Sequence, residues 1–124
     1  MKKKIIIIVA ILFLAIIVYQ SYYYIKHDAN TVIVIGNQDD NMDEEVIMLI
    51  DDKKVSEFSL RNHYSHIDKQ SLSFGKHKIT LKGTKSDVSY ETTISFYGIF
   101  SWNYIEYNEG KFYYDKYYKQ PNFE

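Results

Sequence analysis

The sequence predicts an all-β domain, an antiparallel β-sandwich of the immunoglobulin-like or transthyretin-like type, preceded by one N-terminal transmembrane helix. Two observations predict this fold. Residues 5–25 contain no charged side chain and begin with a long apolar run, whereas apolar and polar residues alternate with a period of two in several stretches after residue 30. A length of 124 residues suits one such domain. The absence of cysteine excludes disulfide frameworks, thiolate metal sites and cysteine nucleophiles.

The N-terminal segment has the features of a signal anchor. We interpret residues 1–4 as a cytoplasmic tail, residues 5–25 as the spanning helix and residues 26–30 as a linker. The 21 residues of the span rise about 32 Å as a helix, which matches a hydrocarbon core of about 30 Å. Positive charge collects on the cytoplasmic side of such helices, so the domain of residues 31–124 is expected outside the cell membrane, in the periplasm or at the cell surface. The lysines of the tail are Lys2, Lys3 and Lys4.

Three tyrosines mark the far end of the predicted span. Tyr19, Tyr22 and Tyr23 have the i, i+3, i+4 spacing of one helix face, and tyrosine suits a bilayer interface because its ring is apolar and its hydroxyl is polar. A cleaved signal peptide and a buried core helix are the alternatives. Cleavage needs small residues after the apolar run, whereas residues 19–24 read YQSYYY. The uncleaved, single-pass anchor is therefore favoured, with the lipid bilayer as the partner of residues 5–25.

The domain outside the membrane is acidic, although the whole chain is nearly neutral. Four of the 15 basic residues precede residue 27, so residues 27–124 hold 11 Lys+Arg against all 16 Asp+Glu. Nucleic-acid binding needs clustered positive charge, and we therefore expect no nucleic-acid partner. The frequent Lys, Ile, Asn and Tyr residues indicate an AT-rich bacterial genome.

Short strands account for most of the remaining sequence. Asp51-Asp52 is expected to form a tight turn, because aspartate tolerates the left-handed conformation. Asn108-Glu109-Gly110 is expected to form a three-residue hairpin connection that ends in a left-handed glycine. Residues 61–66 are polar and irregular and are expected to form a loop. Seven or eight short strands at this spacing favour a β-sandwich; the stretches are 31–35, 45–51, 55–60, 71–74, 77–82, 88–96, 99–107 and 111–118.

Two stretches of this pattern carry a resemblance to a known group of domains. Residues 46–55 read VIMLIDDKKV and residues 72–81 read LSFGKHKITL. Over about residues 46–107 the chain resembles small bacterial extracytoplasmic β-sandwich modules, the PEGA-type and carboxypeptidase-regulatory-like domains, in which a strand ends in Asp-Gly-Lys-x-Val and a later one begins x-Pro-Gly-x-His-x-Val-x-Val. Here Asp52 replaces the glycine and Phe74 replaces the proline. The resemblance implies a structural or binding domain and transfers no catalytic residue.

An acidic stretch is the first of two candidate metal sites. Asp39, Asp43 and Glu45, with their acidic neighbours, offer oxygens that calcium accepts. An EF-hand is excluded, because Glu44 and Ile50 stand at the positions that need glycine and a bidentate glutamate. A solvated acidic loop between two strands is the favoured interpretation.

A pair of histidines is the second candidate metal site. His63 and His66 are separated by two residues, but zinc needs a third protein ligand, and none follows at a suitable spacing. His77 shares the parity of Ile79 and Leu81, which indicates a half-buried histidine at a strand edge. We therefore expect no cofactor, with calcium or zinc as the alternative.

The C-terminal end is rich in aromatic residues. On the predicted hairpin, Phe112, Tyr114 and Tyr118 point to one face, and Tyr113 and Tyr117 point to the other. One interpretation is that one face packs on the core while the other covers a sheet edge. The other interpretation is a binding surface, because tyrosine offers a large contact area at a small entropic cost. The candidate residues of that surface are Trp102, Tyr104, Tyr113 and Tyr117.

No catalytic motif accompanies these features. The sequence lacks a Gly-x-Ser-x-Gly elbow, a glycine-rich phosphate loop and a dinucleotide-binding fingerprint, so we expect no enzymatic activity and no catalytic residue. The favoured function is an interaction or assembly module that its anchor holds at the membrane surface, with a protein partner. The alternative is a binding domain for cell-envelope glycan or a small ligand that uses the tyrosine-rich hairpin, and a metal-dependent enzyme is a third class.

Overall fold

The chain forms one N-terminal helix followed by a β-rich domain. The computed structural model describes residues 2–38, 44–61, 65–84, 87–108 and 110–118. Helix α1 covers Lys2–His27 and is followed by Asp28, whose backbone is left-handed with φ of 50°. The predicted apolar helix and β-rich domain are therefore confirmed. The strands in the described ranges are β1 (Thr31–Asn37), β2 (Glu44–Ile50), β3 (Lys53–Leu60), β4 (Ser65–Gln70), β5 (Gly75–Gly83), β6 (Ser89–Phe96), β7 (Ser101–Asn108) and β8 (Lys111–Tyr117).

The strands form two four-stranded sheets. The first sheet has the order β4-β1-β7-β8, and the second has the order β3-β2-β5-β6. Among the described strands every pairing is antiparallel except that of β1 with β7, which is parallel. The prediction of a purely antiparallel arrangement is wrong at this pair. Strands β2 to β6 lie between β1 and β7 in the sequence. A parallel pair requires a long crossover of this kind.

The two sheets share one hydrophobic core. Burial of a large apolar side chain stabilises a fold by about 1.5–3 kcal/mol, so the facing side chains hold the two layers together. A stacked ring pair connects the two sheets at each edge of the core. Phe58 stacks on His66 with centroids 4.1 Å apart, and Tyr90 stacks on Phe112 at 5.0 Å. The central core residues are Ile33, Ile35, Val46, Met48, Ile79, Leu81, Ile94 and Ile105.

The fourth strand lies outside its predicted position. The sequence pattern favoured a loop over residues 61–66 and a strand over residues 71–74, whereas β4 begins at Ser65 and residues 71–74 connect β4 to β5. Leu72 is buried and Phe74 is exposed, so these two side chains do not form one apolar face. The pattern did not predict β4 because its sequence is polar. As an edge strand, β4 forms through backbone pairing with β1 and does not need an apolar face.

Both predicted turns have the expected left-handed backbone. Asp51 and Asp52 have φ of 52° and 67°, which is typical of a two-residue type I′ hairpin turn. Gly110 has φ of 80°. Asn108 pairs directly with Lys111, so Asn108 belongs to the strand and the predicted three-residue connection was one residue too long.

The strand directions give the domain two distinct ends. The helix end, which adjoins α1, contains the starts of β1 and β7, the turn at Asp51, and the connections formed by residues 71–74 and 97–100. The far end contains the start of β2 at Glu44 and the hairpin between β7 and β8.

Candidate functional site: the outer face of the first sheet

Aromatic and acidic side chains line the face of the first sheet that points away from the core, which we call the outer face. Residues that are paired across neighbouring strands point to the same face of a sheet. The pairing of β7 with β8 therefore brings all four residues of the predicted binding surface together on the outer face. The pairs are Trp102 with Tyr117, Tyr104 with Asp115, and Glu106 with Tyr113.

The end of α1 covers Trp102. The Tyr23 ring meets the Trp102 indole edge-on with centroids 4.4 Å apart, and Phe100 lies 4.7 Å from the same indole. Because Trp102 is only 2% exposed, it does not belong to the accessible surface that the sequence suggested. We call the cluster that buries it the helix joint; its residues are Tyr23, Val32, Val34, Phe100 and Trp102.

Hydrogen bonds attach α1 to the domain beside the helix joint. The Phe100 N–H donates to Gln20 Oε1 at 2.6 Å. The Tyr24 hydroxyl donates to the Gly98 carbonyl at 3.1 Å. The Phe100 N–H and the Gly98 carbonyl both belong to the connection between β6 and β7, so two hydrogen bonds join this connection to α1.

The predicted anchor residues lie at both ends of α1. The lysines at positions 2–4 form its first turn, and residues 5–18 are exposed; the helix is long and apolar enough to span a membrane. Tyr19 and Tyr22 are also exposed, whereas Tyr23 is buried in the helix joint. Tyr23 therefore contacts the domain, and this corrects the prediction that all three tyrosines face the bilayer interface.

β8 alternates between inner residues with partners and exposed outer residues, as its sequence predicted. On the inner side, the Tyr114 hydroxyl donates to Asn103 Oδ1, and burial raises the pKa of Tyr114 to about 12. Lys116 Nζ donates to a β6 backbone carbonyl at 2.6 Å. On the outer side, Tyr113 is 50% exposed and Tyr117 is 37% exposed. The outer side of β8 is therefore the accessible aromatic surface of the hairpin.

The accessible part of the outer face combines tyrosine with negative charge. Asp115 lies between Tyr113 and Tyr117 along β8, and Glu106 is the cross-strand neighbour of Tyr113. Burial, together with the charge of Glu106, raises the pKa of Tyr104. A partner would meet aromatic rings, hydroxyl groups and two carboxylates here.

The Tyr104 ring lies against β1 at Gly36. A Cβ at position 36 would be 2.6 Å from the Tyr104 hydroxyl oxygen, so Gly36→Ala is expected to displace the ring and to lower the free energy of unfolding by about 1–3 kcal/mol, the usual cost of overpacking. Chemical denaturation of the full-length protein measures this loss. In a Tyr104→Ala background the same substitution should cost much less, because the contact has gone. An equal cost in both backgrounds would contradict the explanation.

The structure separates two of the candidate metal ligands and does not describe the others. Asp39, Asp43 and His63 lie outside the described residues. Glu45 is exposed on β2, whereas His66 lies in β4 and stacks on a phenylalanine of β3. Burial lowers the pKa of His66, which favours the neutral ring. In the part of the chain that the structure describes, no three His, Asp or Glu residues are grouped so that they could hold a metal.

A Ser-His-Asp arrangement that the sequence pattern did not predict lies at the helix end. His77 Nδ1 donates to Asp51 Oδ2 at 2.6 Å, and Nε2 donates to the Ser73 carbonyl at 2.7 Å. The second bond occupies the nitrogen that a catalytic triad uses as its base towards the serine hydroxyl, which lies 3.4 Å away. The Ser73 carbonyl and the Asp51 carboxylate raise the pKa of His77 above 6.5, so below that pH the doubly protonated ring holds a turn and a connection together as a clamp.

His77 itself differs from its predicted environment. It shares the inner face with Ile79 and Leu81, as expected, but β5 is an internal strand and His77 is almost completely buried. Its period-two spacing was the signal for burial. The sequence offered no signal for its partners, since Asp51 is 26 positions away and was interpreted only as a turn residue.

No protein-family model matches this chain, and neither a curated protein nor a solved structure matches it. The geometry of the outer face is therefore the basis for a functional assignment. Of the four predicted surface residues, Tyr113 and Tyr117 are exposed, Tyr104 is half-buried and Trp102 belongs to the helix joint.

Proposed function

We propose that this chain is a non-enzymatic interaction or assembly module that α1 anchors in the cell membrane. The length and apolar character of α1 support the anchor, and the three lysines at its start favour a cytoplasmic N-terminus with the β-rich domain outside. Gln20 and Tyr23 contribute to the packing of the domain, which supports an anchor that is not cleaved.

For the domain we propose the transthyretin-like type of sandwich. Immunoglobulin constant domains combine a four-stranded and a three-stranded sheet in the orders ABED and CFG, whereas both sheets here have four strands and β4 lies beside β1. The strand order therefore favours the second of the two predicted types. The resemblance to PEGA-type and carboxypeptidase-regulatory-like modules over residues 46–107 is compatible with this type and stays a prediction.

A protein partner is the proposed ligand, and the exposed side of β8 is the observation that carries the proposal. Tyr113 and Tyr117 are exposed on an edge strand whose inner side chains already have partners. Tyrosine is enriched at protein interfaces because one end of its ring system is apolar and the other forms hydrogen bonds. The carboxylates of Asp115 and Glu106 beside the rings favour a partner surface with basic residues.

Replacing both exposed tyrosines should weaken partner binding strongly without unfolding the domain. Two interface tyrosines contribute about 2–4 kcal/mol together, so Tyr113→Ala with Tyr117→Ala is expected to weaken binding by a factor of tens to hundreds. Surface substitutions usually change stability by less than about 0.5 kcal/mol. The measurement is crosslinking of the full-length protein in its own membranes, followed by purification and quantification of the crosslinked partner.

The matched control is Val55→Ala, which truncates an apolar side chain that is as exposed as Tyr117 and lies on β3 of the second sheet, outside the outer face. It should leave the crosslinked partner unchanged. A partner captured equally by the double variant would contradict the proposed surface. An unfolded double variant would instead show that Tyr113 and Tyr117 have a structural role.

Cell-envelope glycan is the alternative ligand, and one observation favours it. Asp115 lies between two exposed tyrosine rings on the same strand face, and aromatic rings next to a carboxylate suit the apolar faces and hydroxyl groups of a sugar. Calorimetric titration with soluble cell-wall fragments would then give heat that Asp115→Asn abolishes. Tryptophan emission is a poor probe for this ligand, because Trp102 is covered by the helix joint.

A further inference from the structure

Exposed apolar side chains collect at the helix end of the domain. Phe74 is 73% exposed, Tyr97 is 53% exposed and Ile99 is 50% exposed. Phe74 and Tyr97 contact each other, with ring centroids 5.2 Å apart, so they join two separate connections of the chain into one surface. We call Phe74, Tyr97 and Ile99 the apolar rim.

Both connections that carry the apolar rim are bonded to α1 or to the chain that leaves it. The backbone groups on either side of Ile99 bond to Gln20 and Tyr24 of the helix. The Asn30 amide, which follows α1, donates to the Leu72 carbonyl at 2.8 Å and accepts from the Leu72 N–H at 2.9 Å. The apolar rim therefore has a defined position relative to the helix axis.

These bonds also define the depth of the apolar rim along the helix. A span that begins at Ile5 has risen about 22 Å at Tyr19 and about 30 Å at Tyr24, and the hydrocarbon core is about 30 Å thick. The bonds at Gln20 and Tyr24 thus fall within the last two turns of the span. If α1 spans a bilayer, the connection of residues 97–100 lies at the boundary between hydrocarbon and headgroups.

The charges around the helix end are compatible with contact to lipid. Asp51 is bonded to His77 at 2.6 Å, and Asp52 forms an ion pair with Lys78 at 2.9 Å, so these two carboxylates have cationic partners. The acidic start of β2 lies at the far end instead. Anionic headgroups repel unpaired negative charge, and Asp28, which directly follows α1, is one exposed carboxylate that stays near the helix end.

We propose that the apolar rim is seated in the lipid interface of the bilayer that α1 spans. The domain then contacts the membrane surface directly, instead of being attached to it only through a flexible linker. Its far end points away from the membrane. Interfacial lipid accepts aromatic and aliphatic side chains of this kind. This inference rests on the membrane anchor proposed above, and the experiment below separates the two.

The absence of cysteine in the chain allows one fluorescent label to be placed at a time. Full-length variants Ile99→Cys, Phe13→Cys and Lys111→Cys are labelled with an environment-sensitive dye and reconstituted in phosphatidylcholine vesicles. Phe13 lies in the middle of α1, and Lys111 lies at the far end. Each label is then exposed to spin-labelled acyl chains, which quench from the lipid, and to iodide, which quenches from the water.

We expect the spin-labelled acyl chains to quench the labels of the Ile99→Cys and Phe13→Cys variants. We expect iodide to quench the label of the Lys111→Cys variant. Quenching of the Ile99 label by iodide as at Lys111, with Phe13 still quenched from the lipid, would overturn the seating and leave the anchor intact. Protection of the Ile99 label from both quenchers would also overturn it, because a second copy of the chain would then cover the rim. A Phe13 label that iodide quenches would overturn the anchor itself, and the seating with it.

Discussion

Replacing Tyr23 with alanine is expected to release the end of α1 from the first sheet and to expose Trp102 to water. Tyr23 is buried, and its ring lies 4.4 Å from Trp102 and 5.5 Å from Phe100. Burial of such a side chain contributes about 1.5–3 kcal/mol, and each aromatic pair adds about 0.5–1.5 kcal/mol. The attached state of the helix should therefore lose about 3 kcal/mol or more of stability.

Intrinsic fluorescence measures this release, because Trp102 is the one tryptophan of the sequence. In the full-length Tyr23→Ala variant in detergent micelles, the emission should move to longer wavelength and become sensitive to iodide. Ile25→Ala is the matched control, since Ile25 lies on the same helix and is exposed, and its spectrum should equal that of the unmodified protein. An unshifted spectrum for Tyr23→Ala would show that Tyr23 does not hold the helix joint.

The His77 clamp is expected to make its largest contribution to stability between about pH 4 and pH 6.5. The Ser73 carbonyl and the Asp51 carboxylate raise the pKa of His77 above 6.5, so its contribution is complete below that pH and is lost as pH rises through the raised value. The Lys78 N–H and His77 lower the pKa of Asp51 below 3.8. The contribution of Asp51 is therefore complete above that pH and is lost as pH falls through the lowered value.

Denaturation midpoints of the full-length protein at pH 5 and pH 9 measure the effect of the clamp. His77→Leu should cost about 1.5 kcal/mol at pH 5, the lower part of the range for hydrogen bonds to a charged group, because Asp51 is half exposed. At pH 9 the same substitution should cost less. His66→Leu is the control, and its cost should change with pH in the opposite direction. Burial lowers the pKa of His66, so its stabilising contribution is lost as pH falls. A cost of His77→Leu that is the same at both pH values would contradict the clamp.

The candidate surface was only partly predictable. The alternation that separates Tyr113 and Tyr117 from Tyr114 is a local pattern, and the structure confirms it. Trp102 follows the same alternation, but its accessibility depends on Tyr23, a residue 79 positions earlier in the sequence. Tyr23 was interpreted as a lipid-facing residue because the length and apolar character of α1 say nothing about which side of the helix meets the domain.

The sequence by itself determined the apolar N-terminal helix, the β-rich domain, the faces of β8 and the left-handed turn at Asp51-Asp52. These features depend on the length of an apolar run, on period-two alternation and on the backbone preferences of single residues, all of which are local. Only the tertiary structure decided the parallel pairing of β1 with β7, the position of β4, the helix joint and the bonds of His77. Each of these brings together groups that are distant in the chain, and their stability comes from mutual burial and hydrogen bonding that no local pattern records.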